Sequence, residues 1–101
     1  MRSRLELQEI LEAIPDVSKV YFQPPESVKL VYPCIIYERE RGWDFRADDF
    51  LYNYTKSYSL TVIDKNPDSS IPDAVLQLPM CSFDRFFALD NLNHWTFIIY
   101  Y

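Results

Sequence analysis

Residues 80–101 read MCSFDRFFALDNLNHWTFIIYY. Aromatic and β-branched side chains fill both halves of this stretch, and such side chains favour β-strands. The halves are separated by LDNLN, residues 89–93, in which Asp and Asn tolerate turn geometry. The stretch therefore predicts two antiparallel strands joined by a turn, and a fold that has to accommodate this C-terminal hairpin.

The N-terminal region, by contrast, has a helical pattern. Residues 3–15, SRLELQEILEAIP, place apolar side chains on one stripe at helical spacing, namely Leu7, Ile10, Leu11 and Ile14. Ser3 and Glu6 have the spacing of a capping box at the start of a helix. Pro15 lacks an amide N–H and disfavours helical geometry in the residue before it, so the helix is expected to end near Ile14.

A second, shorter helix is predicted within residues 65–79, KNPDSSIPDAVLQLP. Ser69 or Ser70 can cap it, and Pro72 fits its first turn. The residues expected to face the core are Ala74, Val75 and Leu78.

Two more strands are predicted between the helices, at residues 32–40 (YPCIIYERE) and 54–64 (YTKSYSLTVID). The expected fold is α+β: an antiparallel β-sheet with two helices packed on one face, in the order α-β-β-α-β-β, with a long β-hairpin arm. A short extra strand near residues 20–22 can be added to this order. Without repeats or linkers, residues 1–101 form a single domain.

The composition excludes several classes of function. The net charge of −5 argues against binding nucleic acid by neutralising phosphates. No apolar run is long enough to cross a bilayer, and the N-terminus has no long apolar segment of the signal-peptide kind. Cys34 and Cys81 are therefore expected to be buried thiols in a reducing cytosol, with a single disulfide left open as the alternative.

One candidate metal site is a calcium-loop pattern. Asp64, Asn66 and Asp68 occupy its first, third and fifth positions. The pattern then fails, because Ser69 stands where glycine is needed and Val75 where a bidentate glutamate is needed. A turn leading into a capped helix explains the same residues better.

A Cys–His nucleophile is the second candidate, made of Cys81 and the only histidine, His94. Pairing the hairpin strands about residues 89–93 places Cys81 opposite Tyr101 and His94 near Ala88 or Leu89. The two side chains would then lie roughly 20 Å apart, at about 3.3 Å per strand residue. The sequence therefore predicts no catalytic pair here.

The sequence supports the other kinds of catalytic or binding site even less. Two distant cysteines and one histidine do not make a zinc ligand set, and a single glycine, Gly42, excludes a glycine-rich phosphate loop. Asp48 and Asp49 are adjacent on a loop and are expected to be solvated. We therefore expect no enzyme activity, metal or cofactor.

The remaining candidate is an association surface on the predicted arm. Its aromatic and charged residues form the candidate subunit or partner interface: Trp43, Phe45, Arg46, Asp48, Asp49, Phe50, Tyr52 and Tyr54. Rigid aromatics bordered by charges are typical of interface hot spots. The alternative is an arm folded onto its own domain.

Three segments carry a resemblance to a known family. They are YPCIIY at residues 32–37, DKNPDSSIPD at 64–73, and LPMCSFDRFF with DNLNH at 78–94. Through them, residues 5–101 resemble tail-terminator (tail-completion) proteins of long-tailed bacteriophages and prophages, which are sometimes labelled minor capsid proteins. The resemblance carries no catalytic motif.

The resemblance implies a structural protein of virion assembly. Its α+β subunits would form a homo-oligomeric ring, typically a hexamer, that caps the tail tube and meets the head connector. The implied partners are further copies of the chain, the tail tube protein and the head connector or head-closure protein, with DNA passing through the ring and no membrane. The protein would be made in the bacterial cytoplasm and end at the head–tail junction of the virion.

Three other hypotheses stay open. The chain can instead be another head–tail connector, such as a head-closure protein, or a non-catalytic binding module that grips its partner with the aromatic arm. A small enzyme using the Asp-rich loop or the Cys81 region is the third class.

Overall fold

The computed structural model of the chain describes residues 4–40 and 57–100. In chain order the elements are α1 (Arg4–Glu12), β1 (Lys19–Phe22), β2 (Cys34–Arg39), β3 (Ser57–Asp64), α2 (Ile71–Leu76), β4 (Cys81–Leu89) and β5 (Leu92–Tyr100). They form a small α+β domain with one five-stranded sheet and two helices.

The sheet has the strand order β1-β2-β3-β5-β4 and is mixed. β1 runs parallel to β2, whereas the other neighbouring pairs are antiparallel. The expected all-antiparallel sheet is therefore wrong at this edge, and the expected order α-β-β-α-β-β lacks β1, which lies at the short extra strand expected near residues 20–22. The reason is the connection 23–33, which returns the chain to the beginning of β1 so that Cys34 pairs with Lys19.

One face of the sheet carries the core. Strand alternation places Tyr37, Leu60 and Phe97 on this face, in register across β2, β3 and β5. The buried side chains of both helices belong to the same cluster, namely Leu7, Leu11, Ile71 and Val75. The predicted strand at residues 54–64 is present as β3, and its Tyr58, Leu60 and Val62 are buried on this face.

The helices mostly follow their predicted patterns. Leu7 and Leu11 are buried on α1, and Ile14 is buried just beyond its end, but Ile10 is exposed. In α2 Val75 is fully buried and Ala74 is half-buried, and Leu78, just beyond the end of the helix, is half-buried against the core cluster. The predicted stripe on α1 is therefore narrower than expected, and its outer face presents Leu5 and Ile10 to solvent.

A polar network lies where α1 crosses the sheet. The Arg4 guanidinium donates a hydrogen bond of 3.0 Å to the Tyr37 hydroxyl, which in turn donates to the side-chain carbonyl of Gln8. The same guanidinium lies 4.3 Å from the ring centroid of Phe22. Burial of Tyr37 raises the pKa of its hydroxyl, although Arg4 opposes that shift. The network therefore satisfies a phenol that is otherwise enclosed by the core.

Candidate functional site

The predicted arm interface falls outside the described residues. All of its members lie in residues 41–56: Trp43, Phe45, Arg46, Asp48, Asp49, Phe50, Tyr52 and Tyr54. The described residues on either side are paired, because Arg39 lies opposite Tyr58 and the amide of Glu40 donates to the carbonyl of Ser57 at 3.2 Å. Glu40 and Ser57, which flank residues 41–56, therefore lie side by side at the ends of β2 and β3.

The structure separates the candidate Cys–His pair. Cys81 lies opposite Ile99 and His94 opposite Phe87, so the predicted partners Tyr101 and Ala88 or Leu89 are wrong. Six strand positions separate Cys81 from Phe87, which corresponds to roughly 20 Å. The His94 ring stacks on Phe87 with centroids 4.6 Å apart and an interplanar angle of 11°. The pair cannot act together, as the sequence predicted.

Both thiols are poor nucleophiles in this setting. Burial and the nearby Asp64 carboxylate raise the pKa of Cys34 to about 11, and burial raises that of Cys81 to about 11. A thiolate, rather than a thiol, is the reactive species. Neither cysteine is therefore activated for covalent chemistry near neutral pH.

The calcium-like residues form the predicted turn. The amide of Asn66 donates to Oδ1 of Asp64 at 3.0 Å, and the amide of Asp68 donates to Oδ1 of Asn66 at 2.9 Å. The hydroxyl of Ser69 then accepts from the amide of Ile71, the first residue of α2. These oxygens hold the backbone of the turn, which confirms the interpretation of residues 64–71 as a lead into a helix.

The most unusual surface in the described part of the chain is β4. It is an edge strand, paired only with β5, and every residue from Ser82 to Leu89 is exposed. Its large apolar side chains point to both faces of the sheet: Phe83 and Phe86 on the core face, Phe87 and Leu89 on the opposite face. A long edge strand with apolar side chains is a ready template for pairing with another strand.

A β-bulge interrupts β4 at its centre. The pairing with β5 shifts between Phe83 and Arg85, so that Asp84 and Arg85 both lie at Thr96. The Thr96 hydroxyl donates to Oδ2 of Asp84 at 3.1 Å, and the amide of Arg85 donates to the same hydroxyl oxygen. Nε of Arg85 lies 3.5 Å from Oδ2 of Asp84, and both side chains are largely solvent-accessible. The bulge thus presents one acid and one base side by side.

The exposed surface of β4 is not among the candidate sites predicted from the sequence. The sequence does contain a relevant pattern: apolar residues occupy both odd- and even-numbered positions of the strand, at Phe83, Phe86 and Phe87, around a central Asp84–Arg85 pair. A strand buried on both faces has the same pattern. Only the strand order shows that β4 is an edge, and the order depends on contacts across the whole chain.

Within residues 4–40 and 57–100, no three His, Cys, Asp or Glu side chains are grouped so as to hold a metal ion. In the same residues no helix is long and apolar enough to span a bilayer. Comparison with protein-family models, with curated proteins and with solved structures gave no match to this chain.

Proposed function

We propose that this chain is a structural subunit of the head–tail junction of a long-tailed phage or prophage. Copies of the chain, six in the typical case, form a ring that caps the tail tube and joins it to the head connector. The resemblance of residues 5–101 to tail-terminator proteins suggests this role. The observation that carries it is β4, an exposed nine-residue edge strand with aromatic side chains on both faces.

Such a strand is consistent with a protein that functions by association. An edge exposes a row of unpaired amide and carbonyl groups, and soluble proteins usually protect that row. Phe83 and Phe86 add apolar surface beside it. Apolar patches of this kind mark interaction sites more often than any catalytic role. The outer face of α1, with Leu5 and Ile10 exposed, supplies a second contact surface.

The arm is proposed as the third contact. Because β2 and β3 are paired at Arg39 and Tyr58, the residues on either side of 41–56 lie next to each other at the end of these strands. A long β-hairpin extension satisfies this geometry, and its Trp43, Phe45 and Phe50 would reach a neighbouring subunit. Aromatic anchors of this kind dominate interface energetics.

The charge of the chain suits a channel for DNA. At a net charge of −5, acidic side chains facing the channel would repel phosphates and let DNA pass without sticking. We expect that replacing channel-facing acids with lysine, once the ring is imaged, retards DNA passage. Unchanged passage would contradict this part of the proposal.

The direct test images the chain on tail tubes. Tubes assembled from a tail tube protein of the same phage or prophage are mixed with the chain and examined by negative-stain electron microscopy. Rings at the tube ends, with six-fold averages, are the expected result. Bare tube ends beside freely soluble chain would refute the role.

Matched variants locate the contact. Trp43→Ala with Phe50→Ala, both in the arm, is expected to abolish the rings while leaving the free energy of unfolding unchanged. Leu76→Ala, at an exposed apolar position on α2, is the control and should keep them. Rings that survive the arm variant would remove the arm from the interface.

A head-closure protein is the alternative within the same assembly, and binding to the head connector but not to tubes would favour it. A non-catalytic binding module is the other alternative, and the open edge of β4 also fits it, because such edges accept a strand from a partner. Binding to neither phage component would favour this module.

A further inference from the structure

We propose that, in the unassembled protein, β4 pairs antiparallel with β4 of a second copy about a two-fold axis between Asp84 and Arg85. The two five-stranded sheets then become one continuous sheet. This inference concerns the free chain and does not rest on the proposed function.

The first argument is the direction of the backbone groups. The amide of Tyr100 donates to the carbonyl of Met80, so Met80 and Ser82 direct their backbone groups toward β5. Cys81 and Phe83 therefore direct theirs outward. Up to the bulge, the outward-facing positions are odd-numbered.

Beyond the bulge the even-numbered residues, rather than the odd-numbered ones, direct their backbone groups outward. Leu89 and Leu92 flank the two-residue turn Asp90–Asn91, whose φ angles are 55° and 64°. A turn of this kind makes its flanking residues a hydrogen-bonded pair, so Leu89 faces β5. Phe86 and Ala88 consequently direct their backbone groups outward.

The bulge makes the strand self-complementary. A two-fold axis between Asp84 and Arg85 places Phe83 opposite Phe86 of the second copy, and Cys81 opposite Ala88. Both pairs join two outward-facing residues, so their amides and carbonyls can exchange hydrogen bonds. Ser82 lies opposite Phe87 as a non-hydrogen-bonded pair. An axis at Phe87 also pairs two outward-facing residues, Phe86 and Ala88, but it uses only the part of β4 after the bulge, whereas the axis between Asp84 and Arg85 pairs both halves of the strand.

The charges match in the same register. Asp84 of each copy lies opposite Arg85 of the other, so the dimer has two ion pairs across the axis in addition to the Asp84–Arg85 contact within each copy. Opposite charges placed directly across a strand pair are stabilising, and like charges are destabilising. The single acid and single base of β4 are thus arranged as a self-complementary pair.

The aromatic side chains continue across the axis. Within one copy, the rings of Phe83 and Phe97 lie 5.5 Å apart, and those of Phe86 and Trp95 lie 5.4 Å apart. Pairing Phe83 with Phe86 of the second copy joins these two contacts into one row on the core face of the sheet. The pairing covers Phe83 and Phe86, which are about half exposed in the single chain.

The competing interpretation is edge protection. A bulge and charged side chains are among the devices that keep edge strands from pairing. That interpretation predicts a monomer, whereas the register above predicts a dimer. A two-fold contact closes on itself, whereas a cyclic ring needs head-to-tail contacts. One β4 edge cannot make both contacts at once, so the dimer of the free chain has to dissociate before β4 can contribute to a ring.

Charge reversal tests the register. Asp84→Arg and Arg85→Asp each create two like-charge contacts across the axis, and each is expected to weaken dimerisation about ten-fold or more, measured by sedimentation equilibrium. A mixture of the two variants restores opposite charges at both positions. We therefore expect the mixture to associate within about three-fold of wild type.

The circular dichroism spectrum of each variant shows whether it is folded. Association of the mixture is informative because each of its two chains dimerises only weakly by itself, so a misfolded chain could not restore it. A wild-type chain that stays monomeric at high micromolar concentration would overturn the proposal. So would single variants that dimerise as tightly as wild type, or a mixture no tighter than its components.

Disulfide trapping tests the same register independently. Ser82→Cys and Phe87→Cys chains, each also carrying Cys81→Ser to remove the neighbouring native thiol, should give a cross-linked dimer containing one chain of each kind when mixed under mild oxidation. Each variant alone should give none, because neither position faces itself. Cross-linking of either variant with itself, or none in the mixture, would contradict this pairing, and neither outcome bears on whether rings form on tail tubes.

Discussion

Phe83 and Phe97 lie opposite each other on β4 and β5 with ring centroids 5.5 Å apart, yet Phe97 is 1% exposed and Phe83 49% exposed. The pair marks the boundary between the core and the open edge. One ring completes the packing under the helices, and the other has solvent on its outer side.

This boundary predicts unequal costs for the same truncation. Phe97→Ala removes a fully buried ring and leaves a cavity, so it should lower the free energy of unfolding by about 3–5 kcal/mol. Phe83→Ala should lower it by only about 1 kcal/mol, because half of that ring is already in water. Urea unfolding at low protein concentration measures both. Equal losses would mean that β4 is covered in the free chain.

The buried hydroxyl of Tyr37 predicts a second effect. Tyr37→Phe keeps the ring contacts with Phe22 and Tyr58 but removes the hydroxyl that accepts from Arg4 and donates to Gln8. We expect a loss of about 1–2 kcal/mol in the free energy of unfolding, since two partly buried polar groups lose their partner. Tyr100→Phe, at an exposed position, should change it by less than about 0.5 kcal/mol. A neutral Tyr37→Phe would show that the network adds nothing to stability.

Local patterns predicted much of this fold. The strands β2 and β3, the inward positions Leu7, Leu11 and Ile14 near α1, and the turn before α2 depend on neighbouring residues, and the structure confirms them. The direction of β1 could not be found in this way. It depends on the path of residues 23–33, which the strand itself does not encode.

The hairpin shows the same limit at finer scale. Centring the turn on residues 89–93 gave the wrong register, because the actual turn is only Asp90–Asn91. The bulge at Asp84 and Arg85 then shifts the register by one more position. The openness of β4 follows from its place at the end of the strand order, a property of the whole sheet. The candidate surface therefore became visible only with the topology.

Cys34 makes stability depend on pH. Burial and the Asp64 carboxylate raise its pKa from 9.0 to about 11. The folded state therefore holds this proton more tightly than the unfolded state, so the stabilisation is complete below pH 9.0 and is lost as pH rises toward about 11. We expect a loss of about 2 kcal/mol over this interval from Cys34 alone.

The matched variant for this prediction is Cys34→Ala, which lacks the titrating thiol but keeps Cys81 and Tyr37. Its unfolding free energy, measured by urea titration across the same pH interval, should fall less steeply than that of wild type. Parallel curves for the two proteins would show that the Cys34 thiol does not titrate differently on folding.

The hairpin turn predicts a stabilising change. Asp90 and Asn91 both have positive φ, at 55° and 64°, in a two-residue loop between Leu89 and Leu92. This turn type prefers glycine at its second position, because glycine has no Cβ to oppose the left-handed conformation. Asn91→Gly should raise the free energy of unfolding by about 0.5–1 kcal/mol, and the melting temperature with it, whereas Asn91→Val should lower both. The opposite order would contradict the turn assignment.

The turn at residues 64–69 predicts that calcium does not change the stability of the protein. Oδ1 of Asp64 and Oδ1 of Asn66 already accept backbone amides, and Ser69 and Val75 occupy the positions where a calcium loop has glycine and glutamate. Asn66→Ala should therefore lower the free energy of unfolding by about 1 kcal/mol, because it removes the bond to the Asp68 amide. Millimolar Ca²⁺ or EDTA should leave the melting temperature of wild type and variant unchanged. A rise with Ca²⁺ that Asn66→Ala abolishes would instead make these oxygens metal ligands, because an ion that binds only the folded state stabilises it increasingly as its concentration rises.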